Sequence, residues 1–153
     1  MIDLRFFIVY LGVFGSLGIG AGMIGFLSVQ WAESVYLSSA SGDLAQQLGP
    51  IFSGFVVLQN SILIQFFAIH MTLLLGLLFG GQKNRGQDGA LVGGLGGLIG
   101  YLSFFIPAVG LLLVAPTESE LFQISSILLL VAGSFVLSGL TGAVGGFIGA
   151  EAN

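Results

Sequence analysis

Four long stretches of the chain, about residues 6–30, 51–81, 89–115 and 121–150, are almost entirely apolar and carry no Asp, Glu, Lys or Arg except at their edges. As a helix, the first alone rises roughly 36 Å, enough to cross a hydrocarbon core about 30 Å thick with some tilt. The other three are as long or longer. What distinguishes these stretches is where their small residues fall. Between Gly89 and Gly110, small residues and one proline recur at Gly89, Gly93, Gly96, Gly100, Ser103, Pro107 and Gly110, in steps that alternate four and three. On a helix that spacing draws one narrow line along one side. A helix made for water shows an apolar stripe on a polar background. Here a small-residue line lies on a background of Leu, Val, Ile and Phe, which suits a helix that has lipid around it and another helix against its small side.

The same feature recurs along the chain. The first stretch carries Gly15, Gly18, Gly22 and Gly25, with Gly18 and Gly22 forming a GxxxG pair, and the fourth carries Ser134, Ser138, Gly142, Gly145 and Gly149. The expected helix-packing residues are therefore Gly15, Gly18, Gly22, Gly25, Gly93, Gly96, Gly100, Gly142, Gly145 and Gly149. The first apolar run is too long for the core of a signal peptide and is not followed by a small-x-small cleavage pattern, so it reads as a span. Residues 93–104 laid over 15–26 share Gly, Leu, Gly, Gly and Phe, a faint trace of a parallel repeat of helical hairpins. Pro107 lacks an amide hydrogen and is expected to bend the third helix. The pattern as a whole predicts an all-α fold: one transmembrane domain, a bundle of four membrane-spanning helices joined by short loops.

The connections are read from their polarity. Residues 31–50 form the one long polar stretch, expected as an outer loop, with Trp31 and Tyr36 suited to a membrane–water boundary and Ser38, Ser39, Ser41 and Gly42 to a turn. Within it Asp43 and Gln46 resemble a capping box for a short helix, Leu44 to Leu48, closed by Gly49-Pro50. Residues 82–88, QKNRGQD, form a tight turn. Residues 116–120, PTESE, form another, in which Thr117 is placed to cap the fourth helix with Glu118 and Glu120 in its first turn.

Charge then sets orientation. The only basic residues are Arg5, Lys83 and Arg85, and an even number of spans separates the first from the other two. They share one side, which the positive-inside rule makes cytoplasmic together with both termini. The opposite connections carry only Glu33, Asp43, Glu118 and Glu120. A net charge of −4 with three basic residues excludes a nucleic-acid-binding surface. Only 7% of the 153 residues are charged, too few to keep a chain this apolar dissolved as a globule. The acidic, lysine-poor balance hints at a salt-loving source.

Chemistry is sparse. Cysteine is absent and His70 is the single histidine, so no set of three or four metal ligands can form on histidine and cysteine within one chain. No cofactor is expected. No serine has a plausible base and carboxylate to activate it, no glycine cluster has Walker or dinucleotide spacing, and the chain is not expected to be an enzyme. The second stretch is the most polar of the four, with Gln59, Asn60, Ser61, Gln65 and His70 as candidates either for a polar pathway or for hydrogen bonds between helices. Gly54, Ser61, Gln65, Ala68 and Thr72 fall on one seam of that helix, and Gln59, Phe66 and His70 on a neighbouring face. Gly-rich spans also occur in the rotor-ring proteolipids of ATP synthases, but those depend on a mid-membrane carboxylate and no span here has one. Small four-span fluoride channels combine an Asn with paired Phe side chains in Gly-rich helices. Their Arg-bearing first helix and Thr-rich broken third helix have no counterpart in this sequence. The leading expectation is a non-catalytic structural or accessory subunit whose partners are the bilayer, further copies of itself or other membrane subunits. The alternative is a small ion or solute channel or transporter with its path along the second span.

Overall fold

The computed structural model describes residues 4–39, 43–114 and 124–152. It is 95% helical and contains four helices: α1 (Leu4–Ser39), α2 (Asp43–Gly80), α3 (Gly86–Val114) and α4 (Ile124–Glu151), with no strand among the described residues. Each has a segment long and apolar enough to cross a membrane: Phe6–Ala32, Gly54–Gly80, Gly86–Val114 and Leu129–Glu151. Ser38 and Ser39, expected in a turn with Ser41 and Gly42, are the last residues of α1; Ser41 and Gly42, the PTESE turn and the Thr117 cap lie outside the described residues.

The helices outrun their apolar segments at the first connection. Most of residues 31–50, expected as a loop with one short helix, is helical: α1 continues to Ser39 and α2 starts at Asp43 and runs through Gly49-Pro50. The physical reason lies in what each signal reports. Falling hydropathy marks where lipid would end, whereas a helix ends where backbone hydrogen bonds fail. Nothing in WAESVYLSS breaks them, and Pro50 withdraws only one amide donor, two turns into a long helix. α3 likewise runs unbroken through Pro107. At the other end α2 is closed by turn bonds, Gly81 N–H to the Leu77 carbonyl at 3.1 Å and Lys83 N–H to the Gly80 carbonyl at 2.8 Å. The Glu151 carboxylate, at the end of α4, accepts from the Gly86 amide at 3.2 Å and so satisfies one orphan donor at the start of α3.

α3 touches all three other helices and α2 does too, while α1 and α4 do not meet among the described residues. In cross-section α2 and α3 therefore form the short diagonal of a rhombus, with α1 and α4 at the far corners. α1 runs parallel to α3: Tyr10 lies over Gly96, Phe14 over Gly100, Gly18 against the backbone of Phe104, Gly22 against Ala108 and Gly25 against Leu112. The N-terminal end of this pair holds an aromatic cluster in which Phe6 packs on Phe79 with ring centroids 4.5 Å apart and Tyr10 on Phe79 at 5.3 Å.

The closest approach is between α3 and α4. A β-carbon built on Gly93 would collide with the carbonyl oxygen of Gly142, and one on Gly142 with that of Gly93; Gly89 and Gly146 stand in the same reciprocal relation. Gly97 faces the carbonyl of Ser138. α4 turns a second glycine edge to α2, with Gly145 against the Leu73 carbonyl and Gly149 against that of Leu77, and α2 answers with Gly76 and Gly80 against Gly142 and Gly146. The third-helix line drawn from sequence is thus two lines. Gly89 and Gly93, with Gly97, serve α4; Gly96 and Gly100 hold the rings of Tyr10 and Phe14 from α1; Gly110 has nothing within 4 Å of its β-position.

Gly93→Val is expected to lower the melting temperature in detergent, with a cost of about 3 kcal/mol from overpacking against a backbone that cannot move aside. Gly12→Ala and Gly133→Ala, with nothing within 4 Å of the added carbon, should leave melting unchanged or raise it, since alanine is the better helix former by up to about 1 kcal/mol. Equal melting of all three variants would show that α3 and α4 do not meet at Gly93.

Candidate functional site

A helix in hydrocarbon satisfies its own backbone, so the side-chain polar groups are the ones that need partners. On α2 the inner face carries Ser61, Gln65, Ala68 and Thr72, in steps of four, three and four, and all are buried. Two of them anchor hydrogen-bonded clusters that tie α2 to its neighbours.

The first cluster centres on Tyr101 of α3. Its hydroxyl donates to the side-chain carbonyl of Gln65, has the Val131 carbonyl of α4 at 3.3 Å, and is hydrogen-bonded by the Ser134 side chain. Gln65 is only 4% exposed and Tyr101 is fully enclosed, so the pair lies away from the outer surface at the junction of α2, α3 and α4. The Tyr101 ring stacks on Phe105 with centroids 5.6 Å apart and meets Phe135 edge-on at 6.0 Å, which fixes the hydroxyl's direction.

Two turns further along α2, the hydroxyls of Thr72 and Thr141 meet at 2.9 Å across the α2–α4 contact. Thr72 is 2.7 Å from the Ile69 carbonyl and Thr141 is 2.8 Å from the Leu137 carbonyl. Two protons serve three acceptors. Either threonine can donate to the other while that one donates to its own helix, so the pair is satisfied in both arrangements. Among the described residues two hydroxyls are enclosed without a partner, Tyr10 Oη and Ser138 Oγ. The Tyr10 ring is held by Phe6, Phe14 and Phe79, and a β-carbon at Gly96 would come within 2.6 Å of its Cζ.

The five polar residues singled out on the second span do not share one space. Ser61 and Gln65 are buried, Asn60 is half-buried beside a crevice between α1 and α2, and Gln59 and His70 are on the outside of the bundle. His70 turns back on its own helix. Its Nδ1 lies 2.8 Å from the Phe66 carbonyl, which can only accept, so Nδ1 carries the proton, and the imidazole rests on the Phe66 ring at 4.1 Å. Ser16, Ser28 and Ser103 also donate to carbonyls of their own helices, at 3.0, 2.7 and 3.0 Å. No group of three or more His, Asp or Glu residues with metal-binding proximity occurs among the described residues.

Sequence reading did not single out Tyr101, Thr141 or Tyr10, nor Gly76, Gly80, Gly97 and Gly146. A signal for each exists in the chain. A buried glutamine amide needs a polar partner, and tyrosines are few here. Gly76-Gly80, Gly89-Gly93-Gly97 and Gly142-Gly146 keep a strict four-residue step that the alternating line passes over.

Tyr101→Phe is expected to destabilise the bundle by about 1–2 kcal/mol, because it leaves the Gln65 amide enclosed and unpaired. Adding Gln65→Leu to it should recover part of that loss. Gln59→Leu and His70→Phe, on the outer face, should melt like the parent protein. Additive losses in the Gln65–Tyr101 cycle would show that the two side chains do not interact.

No protein-family model matches the chain, and comparisons with curated proteins and with solved structures return no match.

Proposed function

We propose that this protein is a multi-pass membrane component, a non-catalytic structural or accessory subunit that works by packing its helices within the bilayer. One observation carries the reading: the outer surface of the helices is dominated by large apolar side chains, while polar side chains inside join helix to helix. Leu129 is 88% exposed, Val114 74%, Ile24 67%, Ile106 66% and Phe66 62%. A continuous surface of this kind is not tolerated in water at this size, and in lipid it needs no cover. Four polar side chains of the interior, Gln65, Tyr101, Thr72 and Thr141, join one helix to the next and so contribute to cohesion.

Orientation follows from charge. Lys83 and Arg85 lie in the α2–α3 connection, at the end of the bundle where Glu151 of α4 meets Gly86 and where Phe6 of α1 meets Phe79. That end is assigned to the cytoplasm by the positive-inside rule, which puts both chain termini there. The partners are further copies of this chain or other membrane subunits, met within the bilayer because the connections are short.

The absence of native cysteine makes the test clean. Gln82→Cys in sealed cells is expected to resist a membrane-impermeant maleimide until the membrane is opened, and Ser41→Cys is expected to react from outside at once. The reverse pattern would invert the orientation. The protein should leave membranes only with detergent and should run, in a mild one, as a particle larger than a single chain in its micelle. A lone chain with nothing bound to it, extracted under conditions that preserve other membrane complexes, would overturn the subunit reading.

A further inference from the structure

α1 and α2 are joined in sequence, yet they are not closely packed along their length. The α1 glycines that allow close approach, Gly18, Gly22 and Gly25, are directed at α3. The ring cluster of Phe6, Tyr10 and Phe79 closes the α1–α2 contact at the basic end. Between that cluster and the connection that joins the two helices lies a crevice of about 320 Å³. Its floor is Ile64 and Phe104, both buried, and its rim is Ile24, Leu63 and Phe66, each more than half exposed. The lining is apolar except for one side chain, Asn60. Among the described residues the Asn60 amide has no hydrogen-bond partner. Two donors and an acceptor facing hydrocarbon with nothing to bond are costly, and the occupant is the remaining source of a partner.

The position of the crevice along the bundle says what that occupant is. The apolar segment of α2 runs from Gly54 to Gly80, so Phe67 marks its middle. Asn60 lies about 9 Å in from Gly54, and the crevice extends from there about 10 Å further, to Phe67. It therefore begins about 5 Å inside the hydrocarbon edge and ends at the midplane of the bilayer, within the depth range of a lipid tail in one leaflet, about 15 Å. Side chains on a helix lean toward its N-terminus, which directs the Asn60 amide across that gap toward the level at which a glycerolipid carries the oxygens that link chain to glycerol. A neighbouring helix fits less well. A helix is 10–12 Å across with its side chains and needs small residues opposite it for close approach, whereas this rim is Ile, Leu and Phe.

We propose that the α1–α2 crevice is a binding site for one glycerolipid, its chain lying on Ile64 and Phe104 and its ester or ether oxygen accepting a hydrogen bond from the Asn60 amide. The proposal rests on the membrane reading above. The rim side chains hold the chain laterally, and Asn60 fixes its depth, so the lipid is retained where annular lipid exchanges.

The test uses the full chain, extracted in mild detergent and examined by native mass spectrometry, then stripped of lipid and titrated with phosphatidylglycerol carrying either ester-linked or ether-linked chains. Wild type is expected to keep one lipid per chain and to rebind at least one of the two forms; the preferred form identifies the accepting oxygen. Asn60→Leu should weaken rebinding about tenfold, the value of one hydrogen bond. Ala21→Phe, which fills the crevice from α1, should abolish it with melting preserved. Gln59→Leu, one position away and outside the crevice, should rebind normally. Equal rebinding by wild type, Asn60→Leu and Ala21→Phe would overturn the site. So would a wild type that needs detergent yet binds neither form, or an Ala21→Phe variant that loses a second protein chain in place of a lipid. A protein that stays dissolved without detergent would overturn the membrane reading and the site together.

Discussion

The structure depends on how near two backbones can come when no side chain stands between them. At Gly93 and Gly142, and again at Gly89 and Gly146, each helix presents a carbonyl to the place where the other would carry a β-carbon. In water, burying apolar side chains would bring helices together. In hydrocarbon, the setting proposed above, that force is absent, because a lipid tail is as good a neighbour as a leucine. What remains is dispersion between closely fitted surfaces, and it falls off steeply with distance. Glycine is therefore the residue that supplies cohesion here, although in a soluble helix it is a weak point. The hydrogen-bonded clusters of Gln65 with Tyr101 and Thr72 with Thr141 form on the interfaces that these contacts create.

α4 gathers more of this contact than its length suggests. Gly142 and Gly146 sit between α2 and α3, and Gly145 and Gly149 extend the edge toward α2. Three helices are thereby locked in one body. α1 joins by two means: at one end Tyr10 and Phe14 lay rings into the hollows left at Gly96 and Gly100, and further along Gly18 and Gly22 come against the backbone of α3 at Phe104 and Ala108. The α3–α4 interface is made by two glycine surfaces meeting, whereas the α1–α3 interface adds aromatic knobs entering glycine holes.

The number of long apolar helices and their approximate limits were legible because each apolar stretch is long enough to be set directly against bilayer thickness. The seam of Ser61, Gln65, Ala68 and Thr72 was legible too, since few polar residues compete for the same face. The partner of each seam was not. A glycine-rich helix such as α3 has small residues at enough positions to draw several lines through them, and spacing alone does not say which neighbour each line meets. Gly93 and Gly96 look alike in sequence and serve different helices. The first connection was misjudged for another reason: polarity was read as loop, when nothing from Trp31 to Ser39 stops a helix. His70 drew attention as the lone histidine, and the bond that occupies its Nδ1 comes from its own helix, four residues back, where no distant residue has to be known.

That α1 and α4 do not meet among the described residues has a bearing on how the molecule is made. Gly18 and Gly22 of α1 find their seat on α3, a helix that follows α2 in the chain. When α1 and α2 have left the ribosome, that glycine edge has no counterpart. Were the chain to enter a bilayer in sequence order, as the proposed function implies, its first hairpin would do so with its adhesive side vacant, held mainly by the ring cluster at one end. α3 would then fill it, and α4 would dock on α2 and α3.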